Sequence, residues 1–153
     1  MSTRTIKNAG LKGVEIGAEM PDASITKLLG HYTYDTIIEE GGYSWRAMVI
    51  NHPSGRVLVE SDFSNQDIIN RIQIMATDLR YQRKISVGST VADLDQLAGP
   101  WYITHIPAYH RVDLTVQGLH FLISDDFIDS DNEDAPKRTD IPRGSEILSI
   151  VLM

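Results

Sequence analysis

The chain states one structural phrase twice. Residues 14–17 read Val-Glu-Ile-Gly, residues 24–30 read Ser-Ile-Thr-Lys-Leu-Leu-Gly, and an aromatic follows at Tyr32. Later, residues 85–88 read Ile-Ser-Val-Gly, residues 93–99 read Asp-Leu-Asp-Gln-Leu-Ala-Gly, and Trp101 follows. Ile25, Leu28, Gly30 and Tyr32 fall on Leu94, Leu97, Gly99 and Trp101 at one constant offset, with Gly17 and Gly88 two residues out of step. An internal repeat limits the architecture before any other signal, because each unit must pack against its own copy. This one predicts a strand, a glycine, a short helix, a second glycine and then a meander of strands. It predicts shape and no chemistry.

The pattern places a disordered lead at residues 1–10, a first unit at 11–83 and a second at 84–153, packed as one domain. In the first unit, Pro21 and Asp22 open a helix, Ile25, Leu28 and Leu29 mark its buried face, and Gly30 stops it. Strands are expected over 32–38, 43–51, 56–60 and 68–75, the last made doubtful by Asn70, Arg71 and Gln73. The second unit repeats the order. Residues 84–87 read as a strand, Thr90 with Asp93 as a helix-capping pair, and 101–106, 111–116, 119–124 and 147–152 as strands, with a tight turn at Gln117-Gly118. Neither unit is large enough to bury a core alone. The fold class expected is therefore α+β: two tandem modules, each a short helix packed on an antiparallel meander, sharing one continuous curved sheet.

Composition removes several functions. The formal net charge is −7, so the average field repels a phosphate backbone and nucleic acid is not an expected partner. The densest basic run, residues 80–84, lies between the two copies and reads as a solvated linker. There is no cysteine, which excludes disulfides, thiol catalysis and thiolate zinc sites. No apolar stretch approaches the roughly 18 residues of a membrane span. The first residues also lack an apolar signal core, so the chain is either cytoplasmic or the product of signal removal.

Few residues suggest chemistry. His105, His110, Asp113 and His120 hold imidazoles and a carboxylate of the kind that bind zinc or run acid–base steps, though at neither helical nor metallohydrolase spacing. Asp129, Asp131 and Glu133 alternate like the first ligands of a calcium loop, but Asp134 replaces its glycine, Asp140 its closing glutamate, and Pro136 interrupts it. No nucleophile elbow, phosphate loop or dinucleotide fingerprint is present, so no catalytic residue and no cofactor is expected. Aromatics remain. Tyr32 and Trp101 hold matching places and are expected in the core. Strand parity puts Tyr43 and Trp45 on one face and Arg46 and Met48 on the other, with Trp101 and Tyr102 likewise opposed. Large rigid side chains on an uncovered sheet face are the usual anchors of a protein interface.

The run 85–100, Ile-Ser-Val-Gly-Ser-Thr-Val-Ala-Asp-Leu-Asp-Gln-Leu-Ala-Gly-Pro, is similar to the signature of the small outer-membrane assembly lipoproteins. Its tandem use resembles the β-lactamase-inhibitor-protein family. The full order, with residues 47–51 and 72–88, resembles an uncharacterised family of enterobacterial lipoproteins. The chain lacks the inhibitor's disulfide cysteines and the lipoproteins' lipidated cysteine. The resemblance implies a periplasmic or envelope location and no catalytic residue. Three readings follow. The first is a non-enzymatic protein-binding or envelope-associated module contacting its partner through Tyr43, Trp45, Tyr102, Tyr109 and His110. The second is a metal-dependent or small-molecule enzyme using His105, His110, Asp113 and His120. The third is a structural component that assembles with itself, and the sequence leaves the oligomeric state undetermined.

Overall fold

Apolar and polar residues alternate along most of the chain, and in a computed structural model, which describes residues 4–22, 32–129 and 134–153, that alternation is realised as strand. Three two-residue strands come first, β1 (Thr5–Ile6), β2 (Gly10–Leu11) and β3 (Val14–Glu15). Then come β4 (Tyr32–Glu40), β5 (Tyr43–His52), β6 (Gly55–Ser61) and β7 (Ile69–Ile74). A short β8 (Arg80–Tyr81) leads to β9 (Trp101–Ile106), β10 (Arg111–Val116), β11 (Leu119–Ser124) and β12 (Ser149–Leu152).

Eight of these strands form one antiparallel sheet in the order β4-β5-β6-β7-β12-β11-β10-β9. That order is a palindrome, with the last strand of each half at the centre. There β7 lies against β12 with Ile74 opposite Ile150, Gln73 opposite Val151 and Ile72 opposite Leu152.

Outside the sheet, the two glycines of the repeat make the same bonds. The Gly17 N–H donates to the Ile69 carbonyl (2.8 Å) and the Ile69 N–H to the Ala18 carbonyl (2.8 Å). In the other half, the Gly88 N–H donates to the Ile147 carbonyl (2.8 Å) and the Ile147 N–H to the Ser89 carbonyl (2.8 Å). Both glycines sit at positive φ, 85° and 95°. That conformation pushes the Cβ of any other L-residue toward its own carbonyl, which is why the chain uses glycine to swing over the sheet here.

One sheet face is the core. Met48, Ile50, Val57, Val59, Ile72, Ile74, Val112, Leu114, Phe121 and Ile150 project from it, and Ile6, Leu11, Val14, Leu79, Ile85 and Leu94 close over them. Each fully buried Ile or Leu contributes roughly 1.5–3 kcal/mol.

The α+β expectation is overturned: the protein is mostly β. Among the described residues the helical segments are 3₁₀ turns at Val91–Gln96, Pro107–Tyr109 and Arg138–Asp140. The expected capping contact does form, the Thr90 N–H donating to Asp93 Oδ2 at 2.8 Å, and Val91, Leu94 and Leu97 are buried. Six residues before Gly99-Pro100 are too few to repay the nucleation of an α-helix, so the segment keeps the tighter turn. The helix expected at residues 24–30 lies outside the described residues.

Two further expectations change. Within the lead read as disordered, β1 pairs in parallel with β8, and Ile6 is 1% exposed. The basic segment 80–84 is accordingly no free linker. Tyr81 is buried, with its hydroxyl 2.8 Å from Gln117 Oε1 and 3.0 Å from Asn8 Oδ1. The strand expected at 84–87 reduces to a single bridge between Ile85 and Tyr81. A β-branched or aromatic residue finds more apolar area under the sheet than at its edge, so these segments serve as a lid. Gly88→Ala should cost about 1–2 kcal/mol in urea unfolding with an unchanged m-value, because the cost is backbone strain and not lost surface.

Candidate functional site

The face opposite the core is built by the same alternation. Register places Trp45 opposite Ile38, Glu60 opposite Arg71, Leu122 opposite Ser149 and Arg111 opposite Ile106, all on that face. A flat eight-stranded sheet would hold its edge strands about 34 Å apart, seven spacings of about 4.8 Å. In this protein the Tyr109 hydroxyl, just beyond edge strand β9, donates a hydrogen bond to Glu40 at the end of the opposite edge strand β4. Twist accumulated across the sheet has curled it until its two margins meet. The curl leaves a trough of about 450 Å³, lined by residues that include Ile38, Trp45, Arg71, Met75, Tyr109, Arg111, Leu122 and Leu148.

The floor of the trough is charged. Glu60 is 3% exposed. Its Oε1 accepts from the Trp45 indole N–H at 3.1 Å and its Oε2 from the Gln73 amide at 2.9 Å. Arg71 Nε lies 3.8 Å from Oε2, beyond hydrogen-bond distance, and is buried with no hydrogen-bond partner. The register shift between Glu60 and Ser61 is a β-bulge, a device that re-aims a side chain at a sheet surface. At the rim, the hydrogen bond and the negative charge of Glu40 hold the Tyr109 phenol above its usual 10.0, and Arg71 pulls the other way.

The expected contact residues divide. Trp45 and Tyr109 line the trough. Tyr43, exposed, lies on the same face and packs edge-on against Phe63 with centroids 5.3 Å apart. Tyr102 is 67% exposed on edge strand β9 and does not line the trough. His110 is exposed at positive φ, 54°, with Nδ1 3.9 Å from Asp125. Trp101 points the opposite way from Tyr102, packs against the core and carries the Arg138 guanidinium at 3.7 Å from its ring centre. Tyr32 does not hold the matching place: its register position is opposite Asn51, on the parity of Tyr43 and Trp45, whereas Trp101 is opposite the core-facing Val116. The core role expected of its side chain lies outside the described residues.

The three histidines do not form one cluster: His105 and His110 both approach Asp125, and His120 lies apart with Asp113. His105 faces the core side, opposite Val112, and its Nε2 is 2.9 Å from Asp125 Oδ2. His120 faces the other side, opposite Thr115, and its Nδ1 is shared by Asp113 Oδ2 (2.8 Å) and Thr115 Oγ1 (3.0 Å). A relay through an imidazole uses both ring nitrogens, and here both partners crowd one. Among the described residues no group of three or more His, Asp or Glu side chains is placed to hold a metal ion. Asp129 is exposed, and Asp131 and Glu133 lie outside the described residues.

One cluster has the side chains of a hydrolase triad in the wrong order. Asp78 Oδ1 is 2.6 Å from His52 Nε2 and accepts from the Ser54 hydroxyl at 2.5 Å. The carboxylate, not the imidazole, sits in the middle, so the serine–imidazole contact of a triad is not formed. The arrangement clamps the β5–β6 turn to the chain before β8.

Sequence reasoning missed Glu60, Arg71, Gln73 and Met75. Their signal was present. Arg71 and Gln73 alternate with Ile72 and Ile74, the mark of a strand with one polar face.

No protein-family model matches the chain, and no curated protein matches it by sequence. In structure the chain is similar to the crystal structure of the uncharacterized protein yfeY from Escherichia coli, with a TM-score of 0.70 and 12% identity over 97% of this chain and 98% of that one. At that identity the likeness is one of fold alone. Among the described residues no helix is long and apolar enough to cross a membrane.

The clamp gives a pH test. Burial pushes the Asp78 carboxyl up, but the hydrogen bonds from Ser54 and His52, with the charges of His52 and Arg4, outweigh it and hold the group below its usual 3.8. A depressed acid stabilises the fold above its unfolded pKa, and that contribution disappears as pH falls through the folded value. Asp78→Asn should therefore flatten the fall of Tm below about pH 4 relative to the parent chain, with little change in its slope above about pH 5.

Proposed function

We propose that the chain is a non-enzymatic binding module, made of two copies of one unit, whose concave sheet face receives its ligand. The observation that carries this reading is the closure of the two sheet margins by Tyr109 and Glu40 over a trough of about 450 Å³. That volume lies in the range of small-molecule sites, and the lining is of their kind, apolar walls with a few convergent polar groups. The palindromic strand order and the paired bonds of Gly17 and Gly88 support duplication of a single unit. The reading requires no acid–base chemistry. An enzyme using His105, His110 and His120 would need imidazoles that act together, and His105 and His120 occupy opposite faces. A second reading, a protein partner seated across the rim, is favoured by the exposed Tyr43–Phe63 pair and by Tyr102.

The trough is tested with a neutral solvatochromic dye. Nile red should bind saturably with a blue-shifted emission. Leu122→Trp, and independently Met75→Trp, should weaken binding by at least about tenfold through filling the trough. Tyr102→Ala, outside it, should not. Saturable binding that survives both filling substitutions in folded protein, or no binding at all, overturns the reading.

A further inference from the structure

We propose that the trough takes an amphiphile with one anionic, carboxylate-like head, its head held by Arg71 and Arg111 and its apolar body lying along Ile38, Met75, Ile106 and Leu122. This rests on the trough being a ligand site and adds the class of ligand.

Hydrogen-bond partners are unevenly distributed around the trough. The charged groups facing the trough are Glu40, Glu60, Arg71 and Arg111. Both carboxylates are supplied with donors. Glu60 takes the Trp45 indole and the Gln73 amide, and Glu40 takes the Tyr109 hydroxyl. Both guanidiniums are short of acceptors. Arg71 Nε is buried and makes no hydrogen bond, its nearest carboxylate oxygen being 3.8 Å away. Arg111 donates through Nη1 to the His110 carbonyl at 3.1 Å and meets no carboxylate among the described residues. The acidic groups are thus satisfied largely by neutral partners, which leaves the planar, multi-donor forks to an acceptor from outside.

The Nε is sealed off, but the Arg71 side chain is 36% exposed, so its terminal nitrogens remain open to an anion that can make a charge-assisted contact. The remaining walls offer a head group little beyond dispersion and apolar burial, which suit a hydrocarbon body. A cationic head would meet two guanidiniums and find both carboxylates already engaged. A fully polar anion would leave the Ile38, Met75, Ile106 and Leu122 walls wet.

The experiment uses the full chain and three probes of equal tail length, each below its micellar concentration: dodecanoate, dodecanol and dodecyltrimethylammonium. Calorimetric titration should show dodecanoate binding at least about tenfold more tightly than dodecanol, the scale of a charge-assisted bidentate contact, and the ammonium probe more weakly than either. Arg71→Gln should bring dodecanoate to within about twofold of dodecanol, and Arg111→Gln should narrow the difference in part. Because Arg71→Gln leaves Glu60 without its neighbouring cation, the pair Glu60→Gln with Arg71→Gln serves as the second variant, with folding checked by Tm.

Equal affinity for dodecanoate and dodecanol in a chain that binds Nile red overturns the anionic head and leaves the trough reading intact. Persistence of the dodecanoate preference in the double variant does the same. Absence of Nile red binding together with absence of all three probes removes the trough reading, and this proposal falls with it.

Discussion

The pairing of β7 with β12 is the constraint on which the rest of the structure depends. Each is the last strand of its half and would otherwise be a sheet edge with unpaired N–H and C=O groups. Bringing Ile72 and Ile74 opposite Leu152 and Ile150 satisfies both ladders and buries all four side chains at the centre of the core. Two four-stranded meanders, each too small to exclude water, become one eight-stranded sheet with a single core. The trough is a consequence. Four twisted strands do not bend far enough for their margins to touch, whereas eight bring Tyr109 of one half to Glu40 of the other. Neither half owns the site, because its walls are drawn from β4 to β7 on one side and β9 to β12 on the other.

Glu60 and Arg71 handle charge differently from the imidazole–carboxylate pairs elsewhere on the sheet. On the core side and along the loops, His52, His105 and their aspartates form close pairs that tie turns to the sheet. There each carboxylate has its imidazole. On the concave face, Glu60 is taken out of water by the β-bulge and held by neutral donors, while its cross-strand neighbour Arg71 stops short of it. Glu60 is satisfied by neutral donors while Arg71 pairs with it only at ion-pair distance, without a hydrogen bond from its Nε.

Much of the strand order was readable in the residues because strands declare themselves locally. Gln117-Gly118 joins β10 to β11 with both φ values positive, 53° and 82°, as a two-residue hairpin requires. The parity that separates Tyr43 and Trp45 from Met48 holds, since side chains on a strand have no choice but to alternate. The segment Val91–Gln96 differs in kind from the expected helix. Its cap and its buried Leu94 are as expected, but apolar spacing does not say whether a six-residue segment closes α or 3₁₀ bonds. Residues 5–6 and 80–81 look polar and peripheral in sequence, yet they pair with each other across about half the chain. No local pattern encodes a two-residue strand whose partner lies so far away.

The sequence alone determined the alternation along each strand and the glycines at Gly17 and Gly88, because these depend on what each residue's own backbone and neighbours allow. Only the tertiary structure decided that β7 and β12 form the seam, that the sheet curls until its margins meet, and that Glu60 and Arg71 face each other at the bottom of a trough. Those outcomes depend on strand register and accumulated twist between residues far apart in the chain, which no spacing within a single segment can carry.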